Sequence, residues 1–197
     1  MSSQVETLVE VHLTNRNRQT VFFRGILAAP AVFFLYSFTS LGTWQWIYSV
    51  PIVVAPVVLA LVVSNKYPSY LLTFNHAIME LTARVTSYLL LLTDDYPSIE
   101  RNPDIAVLFP DVEGGAKLNR WLPLVKWLMA IPLYLVGIAY GIYGAVLTVY
   151  AWIVTSATGN YPEYVARVVL GIIEYGNRVN GYAFALVTDE YPTFRLM

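Results

Sequence analysis

The chain has no cysteine, only two histidines and few charges. Without cysteine it can have no disulfide, thiolate metal site or thiol nucleophile. His12 and His76 lack a second histidine at helical spacing, so a zinc or haem site would need ligands from outside the chain. The net charge of -1 gives no electrostatic case for nucleic acid. The first 15 residues are polar and lack the apolar core of a cleaved signal peptide. These gaps point to a chain that is not an enzyme and holds no cofactor.

Charge is not merely scarce but unevenly placed. Charged residues make up 13% of the chain and hydrophobic ones 57%. No charge falls in residues 25–65, a run of 41, or in residues 127–162, a run of 36. A bilayer core takes about 20 apolar residues per helical crossing. Each run is therefore too long for one crossing and suits two joined by a tight turn, the second only barely. All twelve Lys and Arg residues lie outside the runs, on the side that two hairpins would share with both termini. Excess Lys and Arg marks the cytoplasmic face, so four crossings with both termini cytoplasmic are expected. Trp44, Trp46 and Tyr48 would mark the far turn of the first hairpin, and Tyr140 and Tyr143 that of the second.

The chain also repeats itself. A shift of 102 sets Asn17-Arg18 over Asn119-Arg120, Arg24 over Lys126 and Pro30 over Pro132. A shift of 94 sets Tyr67-Pro68 over Tyr161-Pro162, Glu80 over Glu174 and Arg84 over Arg178. One residue of slip then brings Thr93-Asp94-Asp95-Tyr96-Pro97 over Thr188-Asp189-Glu190-Tyr191-Pro192. The expected architecture is an all-α membrane protein with a tandem parallel repeat, each unit a transmembrane helical hairpin plus a long amphipathic helix. The first repeat covers residues 1–99, with a hairpin at 19–65 and an amphipathic helix at 68–93. A linker spans 100–117. The second repeat covers 118–197, with a hairpin at 120–158 and an amphipathic helix at 162–187.

In the amphipathic helices Leu71, Phe74, Ile78, Leu81, Val85 and Tyr88 recur at three- and four-residue steps, as do Val165, Val168, Ile172, Tyr175, Val179 and Tyr182. This narrow seam is that of helices packing on helices. The helices could lie in the membrane interface or pair with each other. Pro68 and Pro162 suit a first helical position. Val9, Val11 and Leu13 alternate with Glu10 and His12, and Ile105 to Phe109 is similarly apolar, so a short strand is expected before each unit.

The segments LNRWLPLVKWLMAIPLYLVG (Leu118 to Gly137), TGNYPE (Thr158 to Glu163) and TDEYPTFRL (Thr188 to Leu196) resemble an uncharacterised prokaryotic membrane family, the domain of unknown function numbered 4389. RQTVFFRGILAAP (Arg18 to Pro30) and LLLLTDDYP (Leu89 to Pro97) resemble it too, although this copy lacks the Trp and Lys of the basic helix start. The resemblance implies a bacterial-type cytoplasmic (inner) membrane and no assigned activity.

Candidate contacts with lipid headgroups or a partner are Arg24, Lys126, Arg84 and Arg178. Arg24 and Lys126 are expected to snorkel, and Glu80–Arg84 and Glu174–Arg178 to form surface pairs. Asp94, Asp95, Asp189 and Glu190 are expected to keep helix ends in water; the sharper alternative is that the two pairs meet around a hard cation. Pro30, Pro51, Pro56 and Pro132 are expected to kink helices. No ionisable residue sits inside either run, which argues against ion-coupled transport. The expected function is that of an accessory or scaffold subunit of a larger membrane assembly, or a homo-oligomer, with membrane lipids and other subunits as partners. A lipid-interacting, membrane-organising protein is the alternative, and a transporter or channel component a third.

Overall fold

A computed structural model describes residues 3–38, 53–100 and 104–196. The order is β1 (Glu6–Val9), α1 (Arg18–Phe22), α2 (Arg24–Leu27), α3 (Ala29–Tyr36), α4 (Ala55–Ser64), α5 (Ser69–Leu89), β2 (Ile105–Leu108), α6 (Lys126–Met129), α7 (Ile131–Thr158) and α8 (Glu163–Ala183). The protein is mostly helical, and among the described residues one helix, α7, is long and apolar enough to cross a membrane.

That helix corrects the hairpin expected at 120–158. Ile131–Thr158 is a single helix of 28 residues. Pro132 stands in its first turn, where the missing N–H costs nothing, and Gly137, Gly141 and Gly144 are carried inside it without a break. The helix ends only at Gly159, whose φ of 78° suits a left-handed cap. The expectation failed because length alone cannot distinguish one long helix from two short ones. Tyr140 and Tyr143 therefore occupy no turn; they face α8, Tyr140 edge-on to Tyr175 and Tyr143 bonded to the Tyr164 hydroxyl at 2.6 Å. Trp44, Trp46, Tyr48 and Pro51, in the middle of the first run, lie outside the described residues. Pro30, Pro56 and Pro132 open α3, α4 and α7 instead of kinking helix interiors.

The amphipathic helices α5 and α8 have 21 residues each. They begin one residue after Pro68 and Pro162, which hold the N-cap positions in extended backbone. They stop about a turn earlier than the apolar pattern predicts. Just beyond each end a leucine takes left-handed backbone, Leu91 at φ 67° and Leu186 at φ 58°. Both leucines are fully buried, so packing compensates the strain. On the seam, Ile78, Leu81, Val85 and Tyr88 are buried, as are Val165, Tyr175, Val179 and Tyr182; Leu71, Phe74, Val168 and Ile172 are half-buried. At Gly144 α7 and α8 come so close that an added Cβ would lie 2.9 Å from the Ile172 side chain.

Two short strands accompany the helices, as the alternation around Val9 and Ile105 predicts. β1 pairs antiparallel with β2, Glu6 opposite Leu108 and Val9 opposite Ile105. β1 ends at Val9, where the alternation of Val11 and Leu13 was expected to continue it. Such a pair is marginal alone. Here Val5, Ile105 and Val107 enter a core shared with Met79, Ala83 and Leu186, and Asn177 donates to the buried Thr7 hydroxyl at 2.8 Å. Ile78 is 5% exposed, whereas Thr82 is half-buried. Ile78→Asp should therefore cost more than about 3 kcal/mol by burying an unpaired charge, and Thr82→Asp less than about 1 kcal/mol, read as loss of thermal stability in detergent.

Candidate functional site

The helices run between two poles, and a buried cation meets a carboxylate at each. The first pole gathers α1, α2, the end of α5, the end of α7 and the start of α8. Arg24, on α2, and Arg16, just before α1, both reach the Oδ1 of Asp94, Arg16 at 2.7 Å. Arg16 Nη1 also donates to the carbonyls of His12 (2.6 Å) and Leu91 (2.8 Å), and Arg24 Nη1 to those of Tyr88 (3.2 Å) and Thr93. The Arg24 guanidinium lies over the Tyr88 ring, 4.2 Å from its centroid. Asn17 caps α1, its side chain accepting from the backbone N–H groups of Gln19 and Thr20.

The second pole uses different residues for the same arrangement. Lys126 Nζ lies 2.6 Å from Asp189 Oδ1 and donates to the Thr188 carbonyl at 2.6 Å. The Asn119 backbone N–H donates to Asp189 Oδ2 at 2.5 Å, and the Asn119 side chain caps the turn at Trp121 and Leu122. Lys126 is 0% exposed and sits beside the Tyr182 ring, 5.2 Å from its centroid.

The left-handed leucines complete both poles. Each turns the chain after its long helix, and the carbonyls and carboxylate of that turn meet the cation. Burial works against the charged form of Asp94, but Arg16 and Arg24 outweigh it and hold its carboxyl below the usual range. Burial lowers the Lys126 ammonium, with Asp189 opposing.

Tyrosines bind the two halves crosswise. Tyr67, ahead of α5, donates to the Ala185 carbonyl at 2.6 Å; Tyr161, ahead of α8, donates to the Leu90 carbonyl at 3.0 Å. Burial raises the Tyr67 phenol to about 12, and raises that of Tyr161 too, so both remain neutral donors near neutral pH. The α7 end is held likewise: Arg16 N–H donates to the Gly159 carbonyl at 2.9 Å and Arg18 to that of Thr158 at 3.1 Å. Arg120 donates to the Val62 and Val63 carbonyls at the α4 end.

Several expected sites therefore lie elsewhere. Arg24 and Lys126 do not snorkel; they are 2% and 0% exposed. Arg84 is 3% exposed, not on a solvated face, and its Nη1 donates to the Ser98 carbonyl at 2.9 Å and to that of Glu100. Arg178 is half-buried and donates to the Arg195 carbonyl at 2.6 Å. Asp94 and Asp189 are not simply hydrated, and they sit at opposite ends of the 21-residue α8, too far apart to share a cation. His76 Nε2 lies 2.7 Å from the Val107 carbonyl, linking α5 to β2. Sequence reasoning missed Arg16 and the pairing itself. The signal was the recurrence of a cation (Arg24, Lys126) and an acid (Asp94, Asp189) at matching places in the two stretches of sequence that align with each other.

Away from the poles, an apolar groove of about 460 Å³ separates α7 and α8, lined by Leu133, Tyr134, Gly137, Tyr140, Tyr175 and Val179 among others. Comparison with known family models, curated proteins and solved structures finds no match.

Asp94→Asn would leave two buried guanidiniums with one charge partner fewer, and should cost about 3–5 kcal/mol. Arg18→Ala, at an exposed contact, should cost less than about 1 kcal/mol. Because the folded-state pKa of Asp94 is depressed, its contribution is present above the ordinary carboxylate range and lost as pH falls through the folded value. Denaturation midpoints of wild type and Asp94→Asn should therefore converge in acid.

Proposed function

We propose that the chain is an accessory or scaffold protein of a bacterial-type cytoplasmic membrane, acting by association and without chemistry of its own. The observation that carries this reading is the outer face of α7. Leu135, Ile138, Ile142, Val146, Val149 and Ile153 stand 57–65% exposed along it. An apolar face of that length, uncovered among the described residues, calls for lipid or another protein to cover it. The carboxylates nearest to a catalytic role, Asp94 and Asp189, are engaged by cations and backbone donors. That favours clamps over proton acceptors.

The tandem-repeat reading is part of the proposal. It is supported by the matched poles, by Tyr67 and Tyr161 in matching contacts, and by Arg18 and Arg120 each on the carbonyls of a helix end. The resemblance to the family numbered 4389 accords with it. Both termini are proposed to be cytoplasmic, on the Lys and Arg distribution. The partners proposed are membrane lipids with other membrane subunits or further copies of the chain. The groove between α7 and α8 favours a second reading, a lipid-organising protein, because its apolar walls suit part of an acyl chain.

Mild detergent extraction from native membranes, followed by native mass measurement, tests the scaffold reading. A defined particle containing other subunits or several copies is expected. A lone chain carrying only lipid would move the assignment to the second reading.

A further inference from the structure

The apolar length of α7 invites a transmembrane assignment, but its surroundings do not fit one. Both of its ends are tied to the same body. At the N-terminal end Lys126 meets Thr188 and Asp189, and the Tyr191 hydroxyl donates to the Met129 carbonyl at 3.2 Å. At the C-terminal end Arg16 and Arg18 hold Gly159 and Thr158, and Trp152 stacks on Phe22 at 5.5 Å. If α7 crossed a bilayer, α8 beside it would enter the hydrocarbon as well. The Glu163 and Arg167 side chains of α8 are 72% and 63% exposed, and Glu174 and Arg178 lie further along it. The two-stranded sheet packed on α8 would follow, and among the described residues each of its strands has one edge without a strand partner. Open sheet edges do not occur facing lipid in the hydrocarbon region, and exposed charges there are rare and costly.

The faces of α7 fit a different placement. Leu133, Gly144, Ala151 and Thr155 are buried on its inner side, while the outer side is apolar from Leu135 to Ile153. With α8 supplying the polar side, the two helices together make one amphipathic unit. An exposed cation stands near each end of α7, Arg18 on the Thr158 carbonyl and Arg120 a few residues before α6. Arg120, exposed before α6, lies beside the 61%-exposed Trp121, and Arg18 is exposed at the far end near Phe22. Cations and aromatic rings at such margins match the headgroup level of an anionic leaflet.

We propose that α7 lies in the plane of the membrane, its outer face among the acyl chains of an anionic phospholipid leaflet and both its ends on one side. The proposal rests on the membrane reading above but not on the scaffold role, which is tested by particle mass.

The absence of cysteine makes the test direct. Single nitroxides are placed at Leu135→Cys, Ile142→Cys and Val149→Cys, seven residues apart on one face. The protein is reconstituted in phosphatidylcholine–phosphatidylglycerol vesicles, and depth is read from collision with oxygen and with a nickel chelate. An in-plane helix gives three similar depths, about 5–10 Å below the headgroups. A crossing helix spreads them over about 21 Å, and a graded profile overturns the proposal. An impermeant maleimide should label Lys117→Cys and Asn160→Cys from the same side of the vesicle; opposite sides overturn it. Labels shielded from both quenchers would assign the face to a second copy and also overturn it. Vesicle flotation should be stronger with phosphatidylglycerol than with phosphatidylcholine alone, and Arg18→Gln/Arg120→Gln should remove the difference. Equal flotation of the wild-type protein overturns the anionic assignment.

Discussion

At each pole of this protein a buried cation closes the turn that follows a long helix. Both turns pass through left-handed leucine backbone, which costs about 1–2 kcal/mol for a residue with a Cβ. The turn then points carbonyls and a carboxylate inward, where unpaired polar groups would be costly. Arg16 with Arg24 at one pole, and Lys126 at the other, satisfy those groups. The cations need the acids as much as the acids need them. Asp94 and Asp189 offset the burial of charge, and aromatic rings cover the guanidinium of Arg24 and the ammonium of Lys126. The positions of α2 and α6, and the points from which α3 and α7 depart, follow from these anchors.

The middle of the molecule has a different logic. α5 and α8 carry the seam and pack on the small sheet, on each other and on the outer helices. α7 has no charged side chain, so its rotation follows from shape and from tyrosines: Gly144 lets α8 approach, Tyr143 bonds the Tyr164 hydroxyl at 2.6 Å, and Tyr175 reaches across to the Leu133 carbonyl at 2.8 Å. The remaining surface of α7 is apolar by composition and open by position. Anchors at both ends combined with a largely exposed apolar side set α7 apart from a core helix.

The legible parts of the fold were those written in local periodicity. The three-and-four spacing located α5 and α8 to within a few residues, and the apolar stretch at Ile105 located β2. Asn65 and Gly159, both left-handed caps, close α4 and α7 at the limits, 65 and 158, expected for the two hairpins. Hydropathy could not decide whether residues 127–158 turn back, because a long helix and a hairpin have the same composition. Arg84 was misplaced for a related reason. Its spacing from Glu80 is that of a surface pair, and only tertiary structure brings the carbonyls of residues 98–100 over it. The candidate site was half legible: the matching stretches of sequence marked Arg24, Lys126, Asp94 and Asp189, but nothing local says that residues 70 and 63 positions apart will meet.

The crosswise tyrosines bear on synthesis. The loop after α5 is completed by Tyr161, and the start of α5 is fixed by Ala185, near the far end of the chain. A ribosome releases residues in order, so the first half emerges long before either partner exists. Its Arg24–Asp94 clamp can close early, but the Leu90 carbonyl lacks its donor until Tyr161 is made, and Tyr67 lacks its acceptor until Ala185 is made. Closing contacts over such separations delays the reward for ordering the chain. The nascent first half therefore waits without the contacts that the second half supplies, and its order is completed last, by the C-terminal third of the chain.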